Sequence, residues 1–257
     1  MAMKLGVCAG IHQADTLRQA GYDFIECPVV SLEPEKPEAE VRSMLQQYIE
    51  SPLPVEVCNM FLPGDLHVVG EKVNEERIRS YVEKALTRVK QIGADTVVFG
   101  SGRARMVPDR FDRSKAEHQL LQFLNIAADY ADPLGVTIAI EPLNKLECNI
   151  INSVPEAVHY AQQVNRKSIR VLADFYHMEM EKEPLSNLVA AKKYLAHVHV
   201  ADSERLAPGT GQYPYDAFAA LLREAGYRGR ISIECGRWNQ FEQEVEASQK
   251  YLAQFFA

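Results

Sequence analysis

Residues 91–99 read QIGADTVVF: a helical pattern runs into Gly93, two residues follow, and a β-branched and aromatic strand begins. The phrase returns as QAGYDFIE around Gly21, PLGVTIAIE around Gly135 and EAGYRGRISIE around Gly226. Glycine after the last helical turn takes the left-handed conformation without a Cβ penalty, and the strands that follow are apolar enough to be buried on both faces. Each phrase is therefore the joint between a helix and a strand of a parallel sheet. Working outward, the same reading places strands at residues 5–8, 24–27, 55–60, 96–100, 136–141, 170–174, 196–201 and 231–234. Helices fall between them, the clearest over 75–92, where Ile78, Val82, Ala85, Leu86, Val89 and Ile92 recur at three and four. Capping boxes are expected at Ser114 with Glu117, Ser153 with Glu156 and Asn239 with Glu242. Units of about 32 residues each consume the whole chain, so the expected class is α/β. The expected architecture is a single (β/α)8 TIM barrel over residues 1–257, with a doubly wound open sheet as the alternative.

Composition narrows the function. The chain has 257 residues, 47% hydrophobic and 25% charged, enough to bury a core without staples. Lys plus Arg number 28 against 35 Asp plus Glu, and a net charge of −7 disfavours nucleic acid. Cys8, Cys27, Cys58, Cys148 and Cys235 are odd in number and form no C-x-x-C pair, which points to reduced thiols and a cytoplasmic setting. No run approaches a membrane span or a signal peptide.

In a barrel of this kind the chemistry sits at the C-terminal ends of the strands. Alternation in VTIAIE puts Thr137, Ala139 and Glu141 inside. In ISIE it puts Ser232 and Glu234 inside, and in HVHVAD His197 and His199; Asp174 ends the sixth strand. Glu141, Asp174, His199 and Glu234 converging on one mouth bring up to three negative charges, which need a cation. One divalent metal ion is expected. Oxygen-rich ligation with one imidazole favours Mn²⁺, with Mg²⁺, Co²⁺ and Zn²⁺ as alternatives. His197, one pleat deeper, reads as a hydrogen-bonded residue of the barrel interior.

Four stretches, IEPLNKLECN (140–149), LADFYHM (172–178), HVHVADSERLAPGTGQYPYDAF (197–218) and GYRGRISIE (226–234), resemble the xylose-isomerase-like sugar isomerase/epimerase superfamily. The resemblance is closer to its ketose 3-epimerase branch, typified by D-tagatose 3-epimerase, and covers the C-terminal half. It implies metal ligation by Glu141, Asp174, His199 and Glu234, and substrate contacts from Glu147, His177 and Arg205. It also implies an open-chain keto sugar or sugar phosphate reacting through a cis-enediolate, with Glu141 and Glu234 as the catalytic acid/base pair. A small-molecule sugar is the expected partner, and relatives commonly form dimers or tetramers.

The loop after the fourth strand, GSGRARMVPDRFDR, carries Arg103, Arg105, Arg110 and Arg113: either Arg103 or Arg105 grips an anionic substrate group, or these arginines pair with Asp109, Asp112 or another subunit. His12, Glu26 and His67 lie near the remaining loops as specificity residues or ordinary surface. Pro208-Gly209-Thr210-Gly211 lacks a following Lys and reads as a tight turn rather than a phosphate loop. Competing functions are a keto-inositol dehydratase or isomerase of the same superfamily, a trinuclear-zinc abasic-site endonuclease and a non-catalytic sugar-binding protein. The nuclease is weakened by the missing His in loop four and by the acidic surface.

Overall fold

Alternation along the strands sends side chains to two separate cores. Phe24, Val57, Val98, Ala139 and Leu172 form a small cluster inside the sheet, while Val97, Phe99, Ile138, Ile140, Val198, Val200, Ile231 and Ile233 face outward under the helices. This is the parity that the sequence assigns. The computed structural model describes residues 3–256. Its strands are β1 (Lys4–Cys8), β2 (Phe24–Pro28), β3 (Val55–Asn59), β4 (Thr96–Phe99), β5 (Thr137–Ile140), β6 (Ile169–Asp174), β7 (Leu195–Val200) and β8 (Arg230–Ile233). All pairings are parallel and sequential, and β8 closes on β1 through Leu5 opposite Ile231 and Val7 opposite Ile233. That closure excludes the open sheet. Room for the large Phe24 ring inside comes from Gly6 on the neighbouring strand, where any Cβ would overlap it.

The helices are α1 (Ala14–Gln19), α2 (Glu38–Ile49), α3 (Glu75–Gln91), α4 (Gly102–Arg105), α5 (Arg113–Leu134), α6 (Val154–Val164), α7 (Phe175–Met180), α8 (Asn187–Ala190), α9 (Tyr215–Glu224) and α10 (Phe241–Phe256). The four joint glycines, Gly21, Gly93, Gly135 and Gly226, all have positive φ, between +64° and +94°. Their left-handed turn ends each helix and drops the chain into the next strand.

Two of the three capping expectations are corrected. Ser153 does accept from the Glu156 backbone N–H, but α5 is capped by Asp112, which accepts from Lys115 N at 2.7 Å, with Ser114 inside the first turn. A carboxylate gains from the positive end of the helix dipole as well as from the hydrogen bond, so the earlier start wins. Before α10 the side chain that folds back is Glu244 rather than Glu242, and it accepts from the Asn239 and Gln240 N–H groups at 2.7 and 3.2 Å. The Pro208–Gly211 segment is a turn held by the buried Asp202, whose carboxylate accepts from the backbone of Ser203, Gly209 and Tyr213. Among the described residues no helix is long and apolar enough to cross a membrane, and the five cysteines are free.

Candidate metal centre

The mouth of the barrel gathers the four predicted ligands. Glu141 follows β5, Asp174 ends β6, His199 lies near the end of β7 and Glu234 follows β8. One ligand atom from each lies within 4.8 Å of every other. His199 Nδ1 stands 3.2 Å from Glu141 Oε1, 3.5 Å from Glu234 Oε2 and 3.9 Å from Asp174 Oδ2. All four residues have little or no contact with solvent except Glu234, which is partly exposed toward a cleft of 440 Å³. The close packing here extends to the backbone: a Cβ at Gly100 would overlap Glu141 Oε2, so only glycine leaves space for that carboxylate.

Below this cluster lies a residue that the sequence reading left near the surface. Glu26, in the middle of β2, is fully buried and serves both histidines of β7. Its Oε1 lies 3.0 Å from His199 Nε2, its Oε2 lies 2.8 Å from His197 Nε2, and Ser232 Oγ donates to Oε2 at 2.6 Å. His197 is thus the interior hydrogen-bonded residue expected. Burial opposes ionisation of Glu26, yet His199 and His197 beside it hold the carboxyl well below its usual range. A carboxylate on Nε2 fixes the tautomer of His199 and leaves Nδ1 facing the three acids. The signal for Glu26 was available, because QAGYDFIE, PLGVTIAIE and GRISIE all end in Glu with the same parity.

The electrostatics of the cluster fit a divalent cation. Burial disfavours a charged His199, but Glu26, Cys8 and Glu234 outweigh it and raise the imidazole well above its usual pKa. Burial and the neighbouring Glu234 charge push Glu141 upward, so this acid holds its proton more tightly than usual. For Glu234 burial also pushes upward, but His199 and Arg205 prevail and bring it down to about 2. A proton on Nδ1 therefore supplies, in the metal-free protein, the positive charge that crowded carboxylates require. Three carboxylates and one correctly oriented imidazole are a donor set for Mn²⁺-like ions.

Around the cluster the expected substrate residues form one connected chain. Arg205 Nη1 lies 3.2 Å from both Glu147 carboxylate oxygens and Nη2 lies 2.5 Å from Glu234 Oε2. Asn144 Nδ2 donates to Glu147 Oε1 at 3.0 Å, and Asn144 N donates to His177 Nδ1 at 3.2 Å. With Nδ1 accepting, the proton of His177 sits on Nε2, which is buried, 3.9 Å from Asp174 Oδ2, and without a hydrogen-bond partner among the described residues. Glu204 and Arg205 are both left-handed, with φ of +58° and +59°. Strain of this kind costs on the order of 1–3 kcal/mol per residue. Here it turns the Arg205 guanidinium toward the cleft, over the ring of Tyr176 at 5.4 Å.

The two arginines of loop four part company. Arg103 is exposed and lines the cleft, whereas Arg105 is fully buried and cannot grip a substrate. Its guanidinium donates to the carbonyls of Phe99 at 3.0 Å and Glu141 at 2.7 Å, tying α4 to the ends of β4 and β5. Left-handed Ser101, φ +36°, reverses the chain before α4 and decides which arginine turns inward. Of the other named residues, His12 is exposed and His67 is half-buried, outside the residues that line the cleft. Trp238, in the short segment after Glu234, packs on Phe241 at 5.3 Å.

Comparison with known proteins agrees with this fold. Residues 14–255 match the family model described as xylose isomerase-like TIM barrel. The chain is 29% identical over 221 residues to the L-ribulose 3-epimerase of Methylomonas sp., covering 84% of this chain and 74% of that protein. It is 31% identical over 112 residues to the D-psicose 3-epimerase of Agrobacterium fabrum, where the match takes in 43% of this chain and only 39% of that protein. Among solved structures, that of D-psicose 3-epimerase from Clostridium cellulolyticum H10 with D-tagatose superposes with a TM-score of 0.85 over 99% of both chains, at 17% identity.

Proposed function

The chain belongs to the xylose isomerase-like TIM barrel family, and from that membership and the geometry of the mouth we propose that it is a metal-dependent sugar epimerase or isomerase acting on an open-chain keto sugar. The observation that carries the reading is the placement of Glu141 and Glu234. They arrive from β5 and β8 and converge on the same imidazole nitrogen, 3.2 and 3.5 Å away, which puts two carboxylates within reach of one substrate carbon. Glu141, Asp174, His199 and Glu234 would hold a divalent cation, Mn²⁺ by preference, which when bound would polarise the substrate carbonyl and make the adjacent C–H acidic.

The chain's own groups do the remainder. Arg205 and His177 Nε2–H donate to substrate oxygens, and Glu147 accepts from a hydroxyl. One glutamate takes the proton from the carbon beside the carbonyl, leaving a planar cis-enediolate. The other returns a proton to the opposite face of that carbon, giving the epimer. If the proton is returned to the neighbouring carbon, the product is the aldose or ketose isomer. An inosose isomerase from Halalkalibacterium halodurans, 22% identical over 246 residues, keeps a keto-inositol substrate as the second reading.

The test is deuterium wash-in from D2O by NMR, using Mn²⁺-loaded protein with ketoses, keto-inositol and their phosphates. Exchange beside the carbonyl that requires the metal supports the reading, and the labelled carbon separates epimerisation from isomerisation. Its absence from every compound in protein that binds metal overturns it.

Metal binding itself has an expected thermal signature. Mn²⁺ at 100 times its Kd stabilises a folded chain by about 2.7 kcal/mol, which for a chain of this size raises Tm by roughly 5–11 °C. The increment shrinks as pH falls, because metal must displace the protons held by Glu141 and His199, both of which bind protons more tightly than usual here. Thermal scans with Mn²⁺ or EDTA at several pH values check it; an increment that grows toward acid contradicts this ligand set.

A further inference from the structure

The cleft extends from the metal-ligating cluster toward the ends of β3 and β4, where none of the groups used so far reaches. Its wall there is Asn59, Met60, Leu62, Gly64, Gly102 and Arg103. Two of these residues are chemically unspent. Asn59 is buried, yet neither end of its amide has a hydrogen-bond partner among the described residues, and its Oδ1 is wholly removed from solvent. An amide in this condition costs free energy, part of which is recovered by a hydroxyl that accepts from Nδ2, the end still open to solvent. Arg103 makes no hydrogen bond or ion pair among the described residues, although it shares the cleft with Glu141, Glu147 and Glu234. The other arginine on the cleft, Arg205, is committed to Glu147 and Glu234. Gly64 lies against the stem of Arg103; a Cβ there would come within 3.3 Å of its Cδ.

We propose that Arg103 and Asn59 form a recognition subsite for the end of the substrate remote from the carbonyl, and that this end carries a carboxylate. This rests on the keto-sugar reading above and specifies its substrate class as a keto sugar acid. A planar guanidinium with its fork free matches a carboxylate bidentately. Charge balance favours a monoanion: one unpaired cation stands on a wall otherwise supplied with acids, and a phosphate dianion there would be left half neutralised. The Asn59 amide meets a hydroxyl along the sugar chain.

The matched probes are D-fructose, D-fructuronate and D-fructose 6-phosphate, which differ only at the terminal carbon. Calorimetry with Mn²⁺-loaded protein gives each Kd, and deuterium wash-in is followed in parallel. The expected result is fructuronate bound at least tenfold more tightly than fructose. That ratio should collapse toward one in Arg103→Ala and be partly kept in Arg103→Lys, which retains charge without the fork. Asn59→Ala should weaken all three ligands alike and leave the ratio unchanged. Equal binding of acid and neutral sugar, or a preference that survives Arg103→Ala, overturns the subsite; a preference for the phosphate over the carboxylate overturns the choice of anion. Failure of the catalytic reading looks different, since wash-in is then absent with every sugar whatever the binding ratio.

Discussion

Glu234→Gln is expected to lower metal-dependent deuterium wash-in by roughly 10³-fold, within the range of about 10² to 10⁴ for loss of a positioned acid/base group. Gln keeps the shape and one oxygen, so the barrel should fold with unchanged secondary structure by circular dichroism. What it lacks is the charge that His199 and Arg205 stabilise across 3.5 and 2.5 Å. The loss should fall on kcat, with the proton-transfer step affected more than substrate binding. A variant that exchanges at more than a tenth of the parent rate contradicts the assignment of Glu234 as half of the proton-transferring pair.

Glu26→Gln is expected to weaken Mn²⁺ binding by about 10–100-fold, the scale measured for partners behind metal-ligating histidines. The reason is a count of donors. Glu26 accepts from His197 Nε2, His199 Nε2 and Ser232 Oγ, and an amide offers one oxygen and one NH2 in place of two oxygens. One histidine must then present a bare Nε2. If His199 does so, its proton moves to Nδ1 and occupies the ligand position. If His197 does so, the proton goes to an Nδ1 that is buried without a partner. Isothermal titration with Mn²⁺, set beside the Tm of the metal-free variant, separates the two costs; unchanged metal affinity would mean that Glu26 only fills the barrel.

The fold was legible because its signal is repeated. Four joints with the same glycine and the same strand chemistry fix direction and spacing, while closure, which alternation cannot decide, is supplied by the pairing of β8 with β1. The ligand set was legible for a related reason: strand parity carries a side chain inward regardless of the loops, so Glu141, His199 and Glu234 could be placed from alternation alone. The same parity in DFIE held the information for Glu26, which went unread because no resemblance drew attention to the N-terminal half. Loop residues had no such guide. Whether Arg103 or Arg105 faces the cleft depends on one left-handed residue, Ser101, and no hydrophobic period encodes that dihedral. Helix starts at 112–113 and 240–241 shifted because several neighbouring side chains can each serve as a cap, and the choice among them is worth only about 1 kcal/mol.

The buried Arg105 joins the cleft wall to the strand end that carries Glu141. Its guanidinium is held by the carbonyl of Glu141 on one side and that of Phe99 on the other, so α4, which presents Arg103 to the cleft, is mounted on the backbone of Glu141. An insertion or deletion between Gly100 and Arg105 would move the Glu141 carboxylate along with the wall that Arg103 lines. Past Arg105 the chain is fastened more lightly, by the Asn149 amide to the N–H and carbonyl of Val107. A side-chain replacement at position 103 therefore alters the cleft wall without disturbing Glu141, whereas a change of loop length before the arginine anchor disturbs both.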